Sequence, residues 1–413
     1  MRKKWMKFMA VALSAGLALS LAACGSGDNA DTVQEESAVS VDTEISEDTE
    51  TESVSAGDLP DEIAEALDAV TGDPEFYAEE FGSVDVSVLA GKKVMLVAYD
   101  STNDWCVNYV LMAQAVLDKI GAEAEITYCD GTTDSWIQAI QNAVNQGYDA
   151  IDLFGISDIG QLDSAIEEAK AAGVYVQDTH GTDISDTSSN TDVSIGCDYE
   201  RAGELMAMEA IREVGSTEEI NCLVVADVGW GADASVAEGI ANVFDEYDCS
   251  YTVAEVAITD WTEDIGDAVR NAFIADSTYN AVIAYYDNMC LYVVPALEEL
   301  GMDLDEIVVG SFNGNVGLID YVSDGSMDFD LGESIGWCAC HAADCMARYF
   351  AGQDVYNDSG FAMYFITTEN VENYINPETG EASYAYDGVQ EIYLTGYSEL
   401  WGVDLTGVFD GIE

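Results

Sequence analysis

Residues 92–105 read KKVMLVAYDSTNDW, and the predicted architecture is built outward from this stretch. A short apolar run ends in small polar residues and an aromatic side chain, and apolar residues then recur at helical spacing over residues 107–117. This pattern predicts a buried parallel strand, a polar loop and the first helix of an α/β unit. Because ligands in open α/β sheets bind at the carboxyl ends of the strands, we expect residues 99–105 to line a site. The alternative is an ordinary loop in which Asp104 caps the helix.

The alternation of strand and helix continues through two series. The first has strands at residues 94–98, 124–128, 150–154, 174–177 and 193–196, with helices near 105–120, 134–146 and 160–172. The second has strands at 221–226, 252–257, 281–285 and 307–310, with helices at 200–214, 232–247, 263–275, 289–300 and 316–323. A strand at 328–331, a helix at 335–350 and a strand near 362–367 follow. We therefore expect an α/β fold of two similar lobes, each with a parallel sheet.

The charge balance excludes some function classes. The 413 residues include 12 basic and 80 acidic side chains, so we expect no nucleic-acid partner, because the phosphate backbone would be repelled. The sequence has no nucleophile motif, no P-loop and no glycine-rich dinucleotide motif. Carboxylate pairs are too abundant to indicate a glycosidase. We expect a protein that is not an enzyme and needs no cofactor.

The amino terminus has the pattern of an export signal. Four of the 12 basic residues lie in the first seven positions, and the apolar run over residues 8–21 is too short to span a bilayer. It leads into LAACG at residues 21–25, which resembles the cleavage site of bacterial lipoproteins. That resemblance implies that Cys24 carries lipid and anchors the protein to the outer face of the cell membrane. A plain signal peptide with a chance cysteine is the alternative.

Three segments lie outside the two lobes. Residues 25–58 are rich in Ser, Thr, Asp and Glu and nearly lack large apolar side chains, so we expect a disordered acidic linker. Residues 59–91 form a lead-in segment with a helix near 61–70. Residues 377–413 form a carboxyl-terminal extension, which is aromatic and acidic but has no strong period.

The cysteines favour packing over disulfides or metal. Of the 10 cysteines, those after Cys24 are odd in number and scattered, which favours reduced, buried thiols, although disulfides stay possible. Within the predicted helix at 335–350, the pattern C-x-C-H-x-x-x-C places His341 and Cys345 on one face, as metal ligands would lie. Cys338 and Cys340 point to different sides, so we expect no metal site.

Short motifs accompany this order of elements. They are GYDAI at 147–151, AKAAGVYV at 169–176, YERAG at 199–203, AEGI at 237–240 and VVGSFNG at 308–314. By these motifs, residues 92–376 resemble the type I periplasmic sugar-binding proteins, the ribose- and galactose-binding group. The resemblance implies two Rossmann-like lobes joined by a hinge of three crossings, near Asp198, Glu333 and Phe361. It assigns residues 92–198 and 334–360 to an N-lobe, and residues 199–333 and 361–376 to a C-lobe.

In this family the ligand lies between the lobes. Carried over by position, the resemblance implies contacts from Tyr99, Asn103, Trp105, Thr179 and His180 in the N-lobe, and from Asp233 (or Ala234), Trp261, Tyr286, Asn313 and Glu333 in the C-lobe. Aromatic rings would pack on the C–H faces of a sugar, and amides and carboxylates would bind its hydroxyl groups. The alternative for the two tryptophans is that they are core residues.

The sequence departs from the family at its charged positions. The family's Asp-Arg after the fourth strand is Thr179-His180 here, and the arginine expected shortly before Gly239 is absent. Because anion sites normally present arginine, we do not expect a carboxylate or phosphate ligand. A neutral sugar is expected, and a cationic ligand would also fit.

The resemblance therefore implies a monomeric, extracytoplasmic lipoprotein that binds a sugar and delivers it to the permease of an ABC importer. In this mechanism the lobes close on the ligand, and the transporter recognises the closed form. A sensory protein that signals to a membrane receptor kinase is the alternative. A sugar-responsive repressor shares the fold, but the signal segment and the lack of DNA-binding helices in the sequence argue against it.

Overall fold

The computed structural model describes residues 59–412 apart from 157, 187–188, 356–361 and 378. The predicted signal segment, the acidic linker, Cys24 and the crossing near Phe361 lie outside the described residues. The described residues form an α/β fold with two separate sheets, so the predicted fold class is confirmed. Within them, no helix combines the length and the apolar character needed to cross a bilayer.

The first sheet contains five parallel strands in the order β2-β1-β3-β4-β5. They are β1 (Lys93–Ala98), β2 (Glu123–Tyr128), β3 (Ala150–Phe154), β4 (Tyr175–Asp183) and β5 (Val193–Cys197). Helix α1 (Asp61–Asp68) precedes the sheet, and α2 (Asp104–Lys119), α3 (Thr133–Gln146) and α4 (Asp163–Ala171) connect its strands. Every residue of β3 is buried, as a parallel strand covered on both faces requires.

The second sheet contains six strands in the order β11-β10-β9-β8-β6-β7. They are β6 (Asn221–Val228), β7 (Ser250–Ala257), β8 (Ala281–Ala284), β9 (Val308–Asn313), β10 (Phe329–Gly332) and β11 (Tyr364–Thr367). The helices are α5 (Tyr199–Val214), α6 (Asp233–Glu246), α7 (Trp261–Ala275), α8 (Cys290–Glu299), α9 (Val316–Asp324) and α10 (Ile335–Ala351). Strand β11 is antiparallel to β10, whereas the other strands pair in parallel.

The chain passes between the sheets at defined positions. It leaves the first sheet at Asp198, between the end of β5 and the start of α5. It returns at Glu333 and Ser334, because α10 packs against α2 beside the first sheet. It then enters β11 through a connection that includes the undescribed residues 356–361. The predicted bounds of the lobes stay a prediction.

Helix α10 is buried from Ile335 to Arg348. The cysteines of the C-x-C-H-x-x-x-C pattern are free and buried within it. The Nε2 atom of His341 lies 3.5 Å from the sulfur of Cys345, and its Nδ1 atom lies 3.4 Å from the hydroxyl of Tyr397. These side chains therefore pack inside the fold around a hydrogen-bonded imidazole.

The carboxyl-terminal extension contains a helix that the sequence did not lead us to expect. Helix α11 (Gln390–Trp401) places Tyr393, Tyr397 and Trp401, spaced four residues apart, in buried positions. The ring of Tyr393 lies 5.5 Å from that of Trp337 on α10. The indole nitrogen of Trp401 donates to Asp344 on α10 at 2.7 Å. The extension thus covers a helix that would otherwise expose its apolar face.

Helices α5 and α6 approach each other closely through two glycines. A Cβ atom on Gly203 would lie 2.3 Å from the carbonyl oxygen of Val236, and one on Gly239 would lie 1.9 Å from that of Glu200. Both distances are too short for any side chain. These are the glycines of the YERAG and AEGI motifs, so helix contact is the physical reason for both.

We expect Gly239→Ala to lower the free energy of unfolding by about 2 kcal/mol or more, because its methyl group would push the backbones of α5 and α6 apart. Gly317→Ala is the matched control, since a Cβ atom at that position of α9 would meet nothing within 4 Å. The control should be neutral or stabilising by up to about 1 kcal/mol, as alanine favours a helix. Urea denaturation of both variants measures the difference, and equal stability would contradict the close approach.

Candidate ligand-binding site

Loops at the carboxyl ends of both sheets surround one cavity of about 80 Å³. From the first sheet it is lined by Tyr99, Asn103, Trp105, Cys106, Gly155 and His180. From the second it is lined by Asp227, Trp230, Ile258, Trp261, Tyr286, Asn288, Asn313 and Asn315. This is the position at which open α/β sheets generally bind ligands.

The structure brings most of the predicted contact residues to this cavity. They are Tyr99, Asn103, Trp105, His180, Trp261, Tyr286 and Asn313. Asn103 also caps α2, because its side-chain oxygen accepts a hydrogen bond from the backbone nitrogen of Cys106 at 3.1 Å. The cap is therefore Asn103, and Asp104 is the first helical residue. Ligand contact by these residues stays a prediction.

Three predicted contacts lie behind the cavity wall. Thr179 is fully buried and donates its hydroxyl hydrogen to a buried carboxylate of β3 at 2.7 Å. Asp233 accepts a hydrogen bond from the hydroxyl of Tyr286 at 3.0 Å. Glu333 lies 2.8 Å from Nε2 of His180. In this structure Asp233 and Glu333 hold lining side chains in place, and Thr179 belongs to the core.

Several cavity residues were not predicted. They are Cys106, Gly155, Asp227, Trp230, Ile258, Asn288 and Asn315. Asp227 and Trp230 lie at the end of β6 and in the glycine-flanked loop that follows it. The pattern that pointed to residues 99–105, a polar loop after a buried strand, also occurs here. We missed it because the contact carried over from the family by position falls later, at Asp233, the first residue of α6.

Aromatic rings line both sides of the cavity. On the first-sheet side, the ring of Trp105 lies 4.6 Å from that of His180, and the side chain is only 8% exposed, so Trp105 belongs to the core as well as to the wall. On the second-sheet side, the ring of Tyr286 lies 5.5 Å from that of Trp230 and 6.3 Å from that of Trp261. Both of these tryptophans are partly exposed, as lining residues are.

Asp227 is a buried carboxylate in the wall. The residue is 1% exposed, and its Oδ1 atom accepts a hydrogen bond from the indole nitrogen of Trp261 at 2.9 Å. Its Oδ2 atom is buried and accepts no hydrogen bond from any residue that the structure describes. Burial and the neighbouring carboxylate of Asp233 raise the pKa of Asp227 to about 7. Burial also raises the pKa of Asp233.

His180 links the cavity to the hinge. Its φ of 60° lies in the left-handed region, which is uncommon for a residue other than glycine. Its Nε2 atom lies 2.8 Å from Oε1 of Glu333, and its Nδ1 atom lies 2.8 Å from the hydroxyl of Tyr199. Cys197 donates its thiol hydrogen to the other oxygen of Glu333 at 3.6 Å. Residues from two crossings therefore fix this imidazole ring.

His180, Cys197 and Glu333 also form a group of potential metal ligands whose atoms lie within 4.8 Å of one another. Their contacts with one another account for their burial without an ion. Burial and the neighbouring carboxylate of Glu333 hold the pKa of the Cys197 thiol well above its usual value, in agreement with a thiol that donates to Glu333.

Comparison with known proteins agrees with this architecture. Residues 94–354 match the periplasmic binding protein domain family, and this is more than half of the chain. The protein therefore belongs to that family, and the resemblance inferred from the sequence motifs is confirmed. No curated protein sequence matches the chain.

Solved structures of binding proteins share the fold. An ABC transporter periplasmic solute binding protein from Actinobacillus succinogenes with bound D-allose is 18% identical, with a TM-score of 0.61 over 68% of this chain and 100% of that chain. A periplasmic ribose ABC transporter protein from Conexibacter woesei is 20% identical, with a TM-score of 0.61 over 70% of this chain and 95% of that chain. An ABC transporter solute binding protein from Agrobacterium vitis with bound allitol is 17% identical, with a TM-score of 0.60 over 69% of this chain and 98% of that chain. At these identities the likeness establishes the fold.

We expect the protein to be more stable at pH 5.5 than at pH 8. Burial raises the pKa of Asp152 and Asp287 to about 6, and that of Glu209 and Asp227 to about 7. In the unfolded chain such groups lose their protons near about pH 4. Their contribution to stability is therefore full below about pH 4 and is lost as the pH rises through 7.

Scanning calorimetry at the two pH values measures the effect, and each kcal/mol moves the melting temperature of a domain of 150–250 residues by about 2–4 °C. Asp227→Asn should reduce the difference between the two melting temperatures, because it removes one of the titrating groups. A melting temperature that rises from pH 5.5 to pH 8 would show that these carboxyls are ionised in the folded state.

Proposed function

We propose that this protein is an extracytoplasmic solute-binding protein that captures a sugar between its lobes and delivers it to an ABC importer. The observation that supports this best is one cavity lined by loops from both sheets, with aromatic rings and amides around it. The structural neighbours that hold D-allose and allitol support the same class of ligand.

The cavity wall suits a polyhydroxylated ring. A sugar has apolar C–H faces that pack on aromatic side chains, and Trp105 and Trp261 present such surfaces. Its hydroxyl groups donate and accept hydrogen bonds, as do the amides of Asn103, Asn288 and Asn313. Rings and amides together would select for shape and for the arrangement of hydroxyl groups.

Capture and release require the lobes to move. The crossings at Asp198 and Glu333 join the two sheets, and rotation there would open the cavity to solvent. In the proposed mechanism the ligand stabilises the closed form, and the permease of the importer recognises that form. We propose a monomer, because one chain supplies both walls of the cavity.

The proposed ligand is not an anion. The arginines of the described residues are occupied elsewhere, in the pairs Arg201–Glu204, Arg212–Glu209, Arg270–Glu299 and Arg348–Asp344. None of the lysines and arginines that the structure describes lines the cavity. A carboxylate or phosphate would therefore find no planar donor pair to bind it.

We propose further that the protein has a binding role and no catalytic one, as the names of its structural neighbours favour. The pattern LAACG at residues 21–25 supports a lipid on Cys24 and a location on the outer face of the cell membrane. Two acyl chains hold a protein far better than one, so such an anchor would be stable.

We expect neutral sugars to bind at least tenfold more tightly than the corresponding uronic acids and sugar phosphates, about 1.4 kcal/mol. The cavity lacks arginine, and the net charge of −68 repels anions at long range. Calorimetry at low and high salt separates the two causes, since salt screens only the long-range repulsion. Tighter binding of a uronic acid than of its parent sugar at both salt concentrations would overturn the proposal and point to backbone amides at helix N-termini.

A second prediction concerns the anchor. The wild-type protein should sediment with membranes after a salt wash, whereas Cys24→Ser should be released into the soluble fraction or remain unprocessed. A substitution of serine at Cys249, which is partly exposed, is the matched control and should sediment like the wild type. Recovery of the wild type from the soluble fraction would exclude the lipid anchor.

A further inference from the structure

The unpaired oxygen of Asp227 marks the cavity wall as incomplete. Buried polar atoms in folded proteins are almost always hydrogen-bonded. Asp227 is 1% exposed, yet its Oδ1 atom accepts from Trp261 whereas its Oδ2 atom has no donor among the described residues, so within the protein this carboxyl can otherwise only share a proton with the neighbouring carboxyl of Asp233. The residue lines the cavity, so a bound molecule is well placed to supply the missing donor.

We propose, resting on the proposed sugar-binding function, that the ligand carries a cationic amino group and that this group binds to Asp227 at the second-sheet wall. An ammonium group has three donors and no acceptor, which matches an oxygen that lacks a donor and stands beside a second carboxylate. Hydrogen bonds between an ion and its counter-ion are also stronger than those of neutral groups.

The side chains around Asp227 favour a cation. The rings of Trp230, Trp261 and Tyr286 lie together on this wall, and an ammonium group is attracted to the faces of such rings. Trp261 donates to Asp227, and Tyr286 donates to Asp233 at 3.0 Å. The backbone nitrogen of Trp230 donates to Asp233 at 2.7 Å. The wall therefore holds both carboxylates in fixed positions before any ligand arrives.

The charges that face Asp227 leave its own charge uncompensated. Asp233 adds a second carboxylate from α6, and Tyr99 and Tyr286 are neutral phenols. His180 is the basic side chain on the opposite wall, but its Nε2 atom is directed at Glu333, 2.8 Å away. No lysine or arginine of the described residues lines the cavity. A ligand with an amino group would supply the positive charge that the wall lacks.

This inference chooses between the two ligands that the sequence left open, a neutral sugar and a cationic ligand. Both expectations rested on the absence of arginine, and Asp227 was not among the predicted contacts. An absent arginine disfavours an anion, whereas two neighbouring carboxylates at the wall, with no lysine or arginine of the described residues lining the cavity, favour a cation over a neutral molecule.

The test compares matched sugars by calorimetry at pH 7.5, because the pKa of Asp227 is raised to about 7 and its carboxyl is mostly ionised above that pH. Each hexose that carries an amino group at position 2, 3 or 6 is paired with its neutral parent and its N-acetyl derivative, and choline is included as a cation that is not a sugar. We expect at least one amino sugar to bind tenfold or more tightly than both neutral partners. The preference should persist at 0.5 M salt, because a desolvated contact is screened less than the acidic surface.

Two variants locate the effect. Asp227→Asn keeps the size of the side chain and removes its charge, so the amino sugar and its parent should bind within threefold of each other. Asp264→Asn makes the same charge change at an exposed position of α7 and should keep the wild-type preference. The comparison of amino and neutral sugars with the wild-type protein can overturn the inference by itself. The inference therefore stays testable if Asp227→Asn fails to fold.

The outcomes separate this inference from the proposed function. A neutral parent that binds as tightly as its amino sugar, or more tightly, would overturn the inference and leave sugar capture standing. Choline that binds more tightly than every sugar would support the cationic group and contradict sugar capture. The absence of binding by every compound in the panel would overturn both.

Discussion

The contact between His180 and Glu333 fixes the geometry on which the candidate site depends. His180 lies on β4, Glu333 lies where the chain returns from the second sheet, and the two side chains meet at 2.8 Å in almost complete burial. A buried carboxylate without partners is costly, so the imidazole and the thiol of Cys197 are needed to hold it. The left-handed backbone of His180 is itself unfavourable and persists because these contacts determine it.

Because of this contact, the cavity wall and the hinge do not move independently. Tyr199 follows the first crossing and Glu333 forms the second, and both contact His180, on whose ring Trp105 packs. Rotation at the crossings therefore changes the surroundings of a lining side chain directly. The carboxyl-terminal extension joins the same region, since Tyr384 donates to the side chain of Asn315, a lining residue, at 2.7 Å.

The sequence predicted the fold better than the site. Alternation of apolar runs and helical periods located nearly every strand and helix, because parallel strands are uniformly apolar and the helices are amphipathic. Helix α11 escaped because its apolar face consists of Tyr393, Tyr397 and Trp401, which are common throughout an aromatic, acidic tail. The antiparallel pairing of β11 escaped because pairing direction depends on the path of the chain, which local sequence does not specify.

In the site, the loops were predictable and the directions of the side chains were not. Thr179 and His180 are neighbours on one strand, but the pairing of that strand becomes irregular after Thr179 and His180 has a left-handed φ of 60°, so Thr179 points into the core while His180 lines the cavity. Asp227 differs, since its position at the end of β6 was visible in the sequence. Its unpaired oxygen was not visible, because the lack of a donor is a property of the whole neighbourhood.

The acidic composition constrains the interior as well as the surface. With 12 bases against 80 acids, most buried carboxylates are held by neutral donors, as Asp287 is by the backbone and side-chain nitrogens of Asn315, each at 2.6 Å. Neutral donors satisfy the hydrogen bonds of a carboxylate but leave its charge in place, so burial raises the pKa of Asp287 to about 6. Such a charge can be relieved by a proton or by a cation. In a closed core only a proton can reach such a carboxylate. At the wall of a cavity a ligand can bring a cation to it. Asp227 is a buried carboxylate at the wall of the cavity.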